Sequence, residues 1–535
     1  MRKRILTVTG ALALSFCAAC GPTSADKEAS QLDTTNERCT PQKAGGDLVM
    51  GTYTNSPGLD PVSPASEGVF GGTELTAIYD TLMAWNPQIA EYEPRLAESM
   101  TPDPTYTNWT MRLRAGVKFG NGDPFTSDAV KSSIQRHLAT DNVDKSRQLA
   151  LNISSIEVPD PLTVNFTLTS PWPGFPYVLA TDVGMVTNPR VVQERGADFN
   201  NNPAGAGVGP YEVEHFTPGE EVVLTAKSDY WGGPVCVQQL RFVSIAGAKG
   251  SYEAFENKEI DLAFLREPQV IAEAREDGFF DLPTLFGATE AVVMNNGSGA
   301  TSSAPITADL RIRQAIAAAI DVEQINQRVF DGQALASTRL TPETAESASS
   351  EILDSPHDPR SAKQLVAEVK KEGWNGSIRL LSDKSPTHVQ ESIAIKAQLE
   401  AAGFEVNLDN SVDTGQLSQR IVVEGNYDLA IYGLNLASEG LWARLAPRLT
   451  TGSPTNFYQY SDPRMDSALA ALKVAASFDE RRAAIEAIEQ VWDATVPGVA
   501  LASYEETTIV QPHVKGIQLT RGAILRFENA YLDHQ

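Results

Sequence analysis

The sequence of 535 residues predicts a mixed α/β fold divided into more than one domain. Helical patterns alternate with short strand patterns between residues 358 and 433, and a strand pattern leads directly into a helix at 108–138. Roughly 490 residues follow the polar N-terminal segment, which is more than one hydrophobic core usually organises. We therefore expect two or three domains.

Residues 1–19 have the features of an export signal. Arg2, Lys3 and Arg4 precede an uncharged apolar run from Ile5 to Ala19. This run is shorter than the roughly 20 apolar residues that a membrane-spanning helix needs. A basic start followed by a short apolar run is typical of a secretory signal, so we expect these residues to be removed on export.

Cys20 is open to three interpretations: half of a disulfide, a metal ligand, or the acylated first residue of a lipoprotein. The run Cys17-Ala18-Ala19-Cys20 resembles a bacterial lipobox, although the first position is usually Leu or another aliphatic residue. We expect lipidation of Cys20, which would hold the protein at the outer face of the cell membrane, with plain secretion as the alternative. Residues 20–46 are polar and predict a flexible tether.

Two further cysteines remain once Cys17 is removed and Cys20 is acylated. Cys39 and Cys236 form an even pair in an oxidising compartment, so we expect a disulfide, with two unrelated buried thiols as the alternative. The formal net charge of −25 disfavours binding to nucleic acid and to anionic lipid. The acyl chains would then be the membrane attachment.

The region from 358 to 433 is the most regular part of the sequence. Helices are predicted at 358–374 and 388–404 and from about Gln416, each followed by a strand, at 377–382, 405–409 and 427–433. This alternation predicts parallel strands with right-handed crossovers. Ligands in such sheets bind beyond the carboxyl ends of the strands, which directs attention to the segments after Leu381 and Tyr432.

The region from 108 to 138 carries the second regular pattern. Apolar residues alternate at Trp109, Met111 and Leu113, as in a half-buried strand. Val130 and Ile134 are then spaced four residues apart, as on the apolar face of a helix. Neither element carries residues that suggest catalysis.

Several separated blocks, taken in order, resemble one family. The blocks are GLDPV (58–62), YDTLMAWNP (79–87), PRLAESM with WTMRLRAGVKFGNGDPFTSDAV (94–130), GVGPYEV with VVLTAKSDYWGGP (207–234), FENKEIDLAFL (255–265) and DLRIRQAIAAAIDVEQI (309–325). On these blocks the chain resembles the family 5 extracellular solute-binding proteins of bacterial ABC importers, in their lipoprotein form. That family includes dipeptide, oligopeptide and nickel binders.

The resemblance implies a periplasmic-binding-protein-like fold of class II, cluster C, in which two lobes close on a solute. Lobe I would comprise residues 47–80, 205–288 and 502–535, and lobe II residues 289–501, with an extra subdomain at 81–204 inserted in lobe I. The implied function is to capture a peptide or other small solute and deliver it to a membrane permease with ATPase subunits. We expect a monomer with no cofactor and no bound metal ion.

Candidate solute contacts follow from the strand ends near the expected hinge. Tyr53 and Asn55 follow the first strand, and Asn295 and Asn296 lie where the chain enters lobe II. After the last parallel strand come the remaining candidates, Tyr432, Leu434, Asn435 and the aromatic Trp442. An ordinary core position is the alternative for Tyr53 and Trp442, and a turn or cap role is the alternative for the asparagines.

One departure from the family pattern bears on the solute. Peptide binders of the family carry a Trp and, three residues later, an Asp that pairs with the peptide amino terminus, whereas this chain has Leu434 and Ala437 there. Enclosing an unpaired ammonium group costs several kcal/mol. Either another carboxylate serves, with Glu439 the nearest candidate, or the solute is a modified peptide, sugar, glycolipid, siderophore or metal chelate.

Two other functional classes stay open. A membrane-anchored hydrolase is the alternative enzyme, but NNGSGA at 295–300 lacks the first glycine of a Gly-x-Ser-x-Gly elbow. The six histidines also lack metal-ligand spacing. A binder that signals through a membrane sensor is the third interpretation.

Overall fold

In a computed structural model of the protein, the described residues are 38–53, 58–63, 71–139, 145–245, 247–298, 304–341, 357–437 and 439–533. The expected export signal, Cys20 and Asn55 lie outside them. Within these ranges, no helix combines the length and the apolar character that crossing a bilayer would require.

Strands and helices are interspersed along the whole described chain. The strands are β1 (Asp47–Thr52), β2 (Met83–Asn86), β3 (Glu91–Pro94), β4 (Ala97–Pro102), β5 (Asn108–Leu113), β6 (Ile153–Asp160), β7 (Thr163–Leu168), β8 (Tyr211–Thr217), β9 (Glu221–Ala226), β10 (Gln239–Ser244), β11 (Leu262–Leu265), β12 (Phe280–Met294), β13 (Leu335–Ala336), β14 (Ser377–Asp383), β15 (Glu405–Val412), β16 (Leu429–Ile431), β17 (Gly498–Val510), β18 (Val514–Lys515), β19 (Gln518–Leu519), β20 (Leu525–Arg526) and β21 (Tyr531–Leu532). The helices are α1 (Gly72–Tyr79), α2 (Ser127–Ala139), α3 (Lys145–Ala150), α4 (Pro176–Leu179), α5 (Pro189–Arg195), α6 (Ala248–Glu256), α7 (Pro268–Glu276), α8 (Leu310–Ala319), α9 (Val322–Val329), α10 (Pro359–Lys371), α11 (Pro386–Ala401), α12 (Thr414–Ser418), α13 (Leu441–Leu449), α14 (Pro463–Val474) and α15 (Phe478–Thr495).

A mixed sheet runs through the molecule. Its strand order is β15-β14-β16-β12-β17-β11-β1-β10-β9-β8, and β13 pairs with β17 beside this path. The pairs of β14 with β15 and with β16 are parallel, as are those of β1 with β10 and with β11. The parallel crossovers predicted for 358–433 are therefore confirmed, and a second parallel group lies around β1.

The two long strands β12 and β17 connect these two parallel groups. They pair antiparallel from Phe280 opposite Val510 to Val293 opposite Gly498, with a register shift between Phe286 and Glu290. At one end Leu282 packs in the core around β1, β9 and β10. At the other end Val292 packs in the core around α8, α11 and β14. Each long strand therefore belongs to two separate hydrophobic cores.

A smaller antiparallel sheet, in the order β4-β5-β7-β6, packs against α2 and forms its own core. Trp109, Met111 and Leu113 point into that core from β5, while the alternating residues are exposed. The sequence patterns of a half-buried strand and an amphipathic helix in this region are confirmed. The chain leaves this part near Gly207 and Gly209, where a Cβ atom would meet the carbonyl oxygens at the end of α1.

Cys39 and Cys236 are joined by a disulfide with their Cα atoms 5.6 Å apart. Both cysteines are buried and pack against Tyr531 in β21. The bridge connects the segment before β1 to the segment before β10, on the side of the sheet away from β14 and β15.

Candidate functional site

The carboxyl ends of β1 and β11 form the first side of the candidate site. Tyr53 follows β1, and Glu74 lies in the first turn of α1. These two residues line a cavity of about 10 Å³ together with Met50, Phe264 and Ala523. A volume of this size holds about one water molecule.

Glu74 is an acidic residue buried in an otherwise uncharged helix. Its side chain is 1 % exposed, and one carboxylate oxygen has no hydrogen-bond partner within the described residues. Burial raises the pKa of Glu74 from 4.5 to about 7, a rise that a backbone hydrogen bond partly offsets. The sequence signal that could have identified it is the lone charge within GTELTAIY.

Arg266 follows β11 and faces Tyr53 and the long strand β17. Its guanidinium lies over the Tyr53 ring at 5.4 Å from the centroid, and its Nη2 atom is 3.8 Å from Oε1 of Glu506 on β17. The structure therefore places Tyr53 at the sheet edge beside a cation rather than in a purely apolar core.

The carboxyl end of β14 forms the opposing side, where four polar residues cluster around the register shift of β12. His388, in the first turn of α11, lies 3.0 Å from Asp383 through Nδ1 and 3.3 Å from Glu290 through Nε2. Tyr504 on β17 donates a hydrogen bond to the other oxygen of Glu290. The segment after Leu381 was expected to lie near the solute, and these charged residues give it the polar groups that binding requires.

Charge and burial act against each other in this cluster. Burial opposes ionisation of His388, yet the Glu290 charge and the hydrogen bonds to Asp383 and Glu290 raise the pKa of His388 to about 11. Glu391, one helical turn later, has its pKa raised well above the usual value by burial and then by the Glu290 charge. His388, Glu391, Glu290 and Arg266 are functional candidates that the sequence analysis missed, because they come from distant segments.

The segment after β16 lies against β12. The backbone N–H of Leu434 donates to the carbonyl of Ala288, and Leu436 pairs with Gly287. Leu434 is consequently buried in the core beneath, and Ala437 is fully buried. Neither side chain is polar, so at these two positions only backbone atoms of the segment are available to bind a polar solute.

Tyr432 and Asn435 are the more polar members of this segment. Tyr432 packs edge-on against Phe457, with ring centroids 5.4 Å apart. Asn435 has a positive φ of 49°, its carbonyl oxygen accepts a hydrogen bond from Arg444, and its Oδ1 has no partner within the described ranges. Of this pair, Asn435 has the side-chain atom that lacks a protein partner.

Glu439 and Trp442 connect this segment to other parts of the molecule. Oε1 of Glu439 accepts a hydrogen bond from the backbone N–H of Gly522 over 2.8 Å. The Trp442 ring lies 4.8 Å from that of Trp172, and Nζ of Lys473 lies 4.6 Å from the Trp442 centroid. Trp442 therefore packs both against the core of the smaller sheet and against the core that contains Leu434.

A buried aromatic pair lies close to Glu439. The rings of Tyr92 and Tyr177 are 6.3 Å apart, and the Arg521 guanidinium lies 6.0 Å from the Tyr177 centroid. Both tyrosine hydroxyls are buried without a hydrogen-bond partner in the described part of the chain. Burial, and then the Glu439 charge, raise the pKa of Tyr92 well above 10.0. The two hydroxyls are therefore buried polar groups near Glu439, and no sequence spacing indicated them.

Asn295 and Asn296 lie at the far end of β12. Asn295 donates to the carbonyls of Gly425 and Tyr427, and the Asn296 amide donates to those of Met294, Tyr458 and Pro497. Because β12 runs antiparallel to β16, the end of β12 lies opposite the start of β16, away from the carboxyl ends that face the site. This placement gives the two asparagines a role in fixing loops, and their contact with solute stays a prediction.

Comparison with known proteins agrees with this architecture. Residues 91–452 match the sequence model of the bacterial extracellular solute-binding proteins, family 5 (middle). The chain is 26 % identical over 465 residues to the glutathione-binding protein GsiB of Salmonella paratyphi A, covering 84 % of this chain and 88 % of that protein. It is 24 % identical over 514 residues to di/tripeptide-binding protein 2 of Pseudomonas aeruginosa, covering 91 % and 95 % of the two chains.

Solved structures show the same fold. The periplasmic binding protein DppA of Helicobacter pylori, in complex with the peptide STSA, superposes with a TM-score of 0.79 at 20 % identity, covering 92 % of this chain and 99 % of that one. AgaA of A. tumefaciens, in complex with agropinic acid, gives a TM-score of 0.75 at 24 % identity, covering 92 % and 99 %. The fold is therefore the two-lobe periplasmic-binding-protein fold.

Proposed function

The chain belongs to the family 5 bacterial extracellular solute-binding proteins, and we propose that it captures a peptide or peptide-like solute and delivers it to the permease of an ABC importer. The relatives named for glutathione and for di- and tripeptides support this class of solute. We infer binding rather than catalysis for the same reason. We propose that lobe I comprises residues 47–80, 205–288 and 502–535 and that lobe II comprises residues 289–501. The inserted subdomain would comprise residues 81–204.

The observation that carries this proposal is the arrangement of β12 and β17. Both strands pass from one hydrophobic core to the other. Beside them Arg266, which follows β11, interacts with Glu506 on β17 and with Glu290 on β12. Bending of such a two-stranded connection would open and close the space between the lobes. A solute that contacts both lobes shifts the population toward the closed form by its differential affinity for the two forms.

We infer that Glu74 pairs with the amino group of a peptide. Ala437 has no carboxylate at the family's usual position, and Glu439 already accepts a hydrogen bond from Gly522. Glu74 lies at the strand ends, is buried, and has an oxygen without a partner within the described residues. An ammonium group beside it would favour the ionised carboxylate and satisfy that oxygen.

The residues at positions 434 and 437 favour a second candidate, a solute without a free amine. Modified peptides, sugars, glycolipids, siderophores and metal chelates are in this class. Glu74 would then stay protonated and donate a hydrogen bond to the solute.

We propose that lipid on Cys20 attaches the protein to the membrane and that the protein acts as a monomer. An acyl anchor restricts the binder to the membrane surface and so raises its concentration near the permease. The acidic net charge of −25 argues against nucleic acid as a partner. Its further partner would be the permease with its ATPase subunits, unless a membrane sensor takes that place.

The test begins with native mass spectrometry of gently purified protein, which is expected to show a co-purified small molecule. A panel of short peptides and their N-acetylated forms is then titrated while small-angle scattering follows closure. Free peptides should reduce the radius of gyration, and Glu74→Gln should weaken free peptides more than acetylated ones. Glu98→Gln, at an exposed position on β4, is the matched control.

The outcomes separate the candidates. Closure by acetylated peptides or by other amine-free solutes alone would favour the second candidate. A scattering profile that no solute changes, together with cleavage of a test ester or glycoside, would reject the binding function in favour of a hydrolase.

A further inference from the structure

Three potential metal ligands converge at the register shift of β12. Nitrogen or oxygen atoms of Glu290, His388 and Glu391 all lie within 4.8 Å of one another. Glu290 comes from β12, whereas His388 and Glu391 lie three residues apart on α11. Side chains three apart on a helix share a face, so α11 presents both toward Glu290.

The distance between the histidine and the first carboxylate matches a shared ion. Nε2 of His388 lies 3.3 Å from Oε2 of Glu290. Two ligands of one tetrahedral zinc ion, each bonded at roughly 2.0–2.2 Å, lie about 3.3 Å from each other. The pair therefore needs little movement to bind one ion, and Glu391 needs a side-chain adjustment to complete the group.

The histidine is also held in the orientation that metal ligation requires. Its Nδ1 lies 3.0 Å from Oδ1 of Asp383, so Nε2 is the nitrogen that faces Glu290 and Glu391. A carboxylate that fixes the second nitrogen is the usual support of a metal-bound histidine. Tyr504 supports Glu290 in the same way by donating to its other oxygen.

Glu391 gives a separate indication of a missing ligand. Its side chain is 0 % exposed, and neither carboxylate oxygen has a hydrogen-bond partner in the described residues. Buried polar groups in folded proteins are nearly always paired. A cation between Glu391 and Glu290 would satisfy both acids at once.

The charges around His388 also favour a bound cation. Glu290 and Glu506 face the guanidinium of Arg266, whereas Glu290, Asp383 and Glu391 face the imidazole of His388. A divalent cation bound to Nε2 would displace the proton that His388 holds beside these acids and would balance their charge in its place. The imidazole is 21 % exposed, which leaves a path for an ion to enter.

We propose that Glu290, His388 and Glu391 bind one divalent transition-metal ion, best matched by zinc, at the hinge end of lobe II. One imidazole and two carboxylates leave a coordination position for water or for a donor atom of the solute. The ion would join β12 to α11 at the place where β12 changes register. Binding of the ion by these three side chains requires no particular solute.

The test titrates zinc chloride into purified, chelator-treated protein by calorimetry, and cobalt(II) is added separately to record its visible absorption. We expect one ion per chain and the intense visible bands of tetrahedral cobalt. Asp383→Asn should weaken zinc binding by roughly 10–100-fold, the usual effect of removing an outer partner. Glu391→Gln, which keeps the side-chain shape, should weaken it further.

His513→Gln is the matched control, because His513 also lies 3.0 Å from an aspartate, Asp261, but has no third ligand in the described structure. Zinc binding should be unchanged in this variant. Failure of the wild-type protein to bind zinc at micromolar concentrations would overturn the proposal, and would mean that protons alone balance the cluster. Zinc binding that persists unchanged in Glu391→Gln would overturn it as well.

Discussion

The backbone N–H of Gly522 donates a hydrogen bond to Oε1 of Glu439 over 2.8 Å. Glu439 follows β16 in the proposed lobe II, and Gly522 lies in the C-terminal part of the proposed lobe I. The bond therefore joins the two proposed lobes. If these lobes separate on opening, the bond is lost, so we expect it to contribute to the closed form alone.

Glu439→Ala is expected to shift the protein toward the open form. A hydrogen bond to a charged acceptor contributes roughly 1.5–3 kcal/mol, which corresponds to a change of about 10–100-fold in the ratio of closed to open protein. Small-angle scattering should show a larger radius of gyration, and solute affinity should fall. Glu439→Gln keeps an acceptor oxygen and should lie nearer to the wild type. Equal profiles for Ala and wild type would rule out this role for the bond.

Lys473→Met should weaken closure through a different contact. Nζ of Lys473, on α14, donates to Asn152 and Ser170 of the proposed subdomain over 2.8 and 2.7 Å. Burial lowers the pKa of Lys473, so these acceptors compensate a partly desolvated ammonium. We expect roughly 1–3 kcal/mol less stabilisation of the closed form, measured as weaker solute binding. The exposed Lys249→Met on α6 is the control, and an equal effect in both variants would contradict the prediction.

Removing the disulfide should lower the free energy of unfolding. The bridge closes a loop with a sequence separation of 197 residues. The loop entropy for such a length amounts to about 5 kcal/mol. This value is the upper limit of the loss in free energy of unfolding that we expect for the double variant Cys39→Ser with Cys236→Ser. Urea unfolding measures the difference. Reductant should destabilise the wild type and leave the double variant unchanged; the same loss in both would point to another cause.

The stability contributed by Glu74 should depend on pH. Burial raises its pKa from 4.5 to about 7 in the folded protein. Stability from the neutral carboxyl group is thus complete below pH 4.5 and is lost as the pH rises through 7. Glu74→Gln cannot ionise, so the variant should gain about 2–3 kcal/mol over the wild type between pH 5 and pH 8. Urea unfolding at both pH values checks this, and a constant difference would contradict it.

Cys20→Ser should release the exported protein from the membrane. A serine at this position cannot carry the thioether-linked lipid, and the remaining acidic chain has little attraction for anionic lipid. Cell fractionation with immunoblotting measures the distribution. Cys236→Ser, which leaves Cys20 intact, is the control and should stay with the membrane. Retention of Cys20→Ser would count against lipidation.

The sequence predicted those parts of the fold that follow from the pattern of neighbouring residues along the chain. The helices and strands between Pro359 and Ile431 follow the expected order, and their parallel pairing is confirmed. Gly373 and Gly403, with φ of 107° and 101°, lie just past the ends of α10 and α11. The pairing of β12 with β17 was not predicted, because two strands far apart in sequence carry no local signal of their partnership.

The site residues stay predictions. The segments after Leu381 and Tyr432 lie at the carboxyl ends of β14 and β16, which pair in parallel and therefore end at one edge of the sheet. The hydrogen bonds of Asn295 and Asn296 to distant carbonyl groups were not predicted, because they depend on strand pairing, which the residues themselves do not encode. Tyr92, Tyr177 and Arg521 escaped notice because they approach one another only in the folded chain.

The bridge between Cys39 and Cys236 determines which part of the fold is tied covalently to the chain that enters before β1. It fastens the incoming chain to the strands beside β10, far across the sheet from α11 and β14. If Cys20 is acylated as proposed, the covalent connection to the membrane therefore reaches the described chain beside β10. The strands β14 and β15 lie at the other end of the sheet, so we expect membrane attachment to leave closure on solute unrestrained.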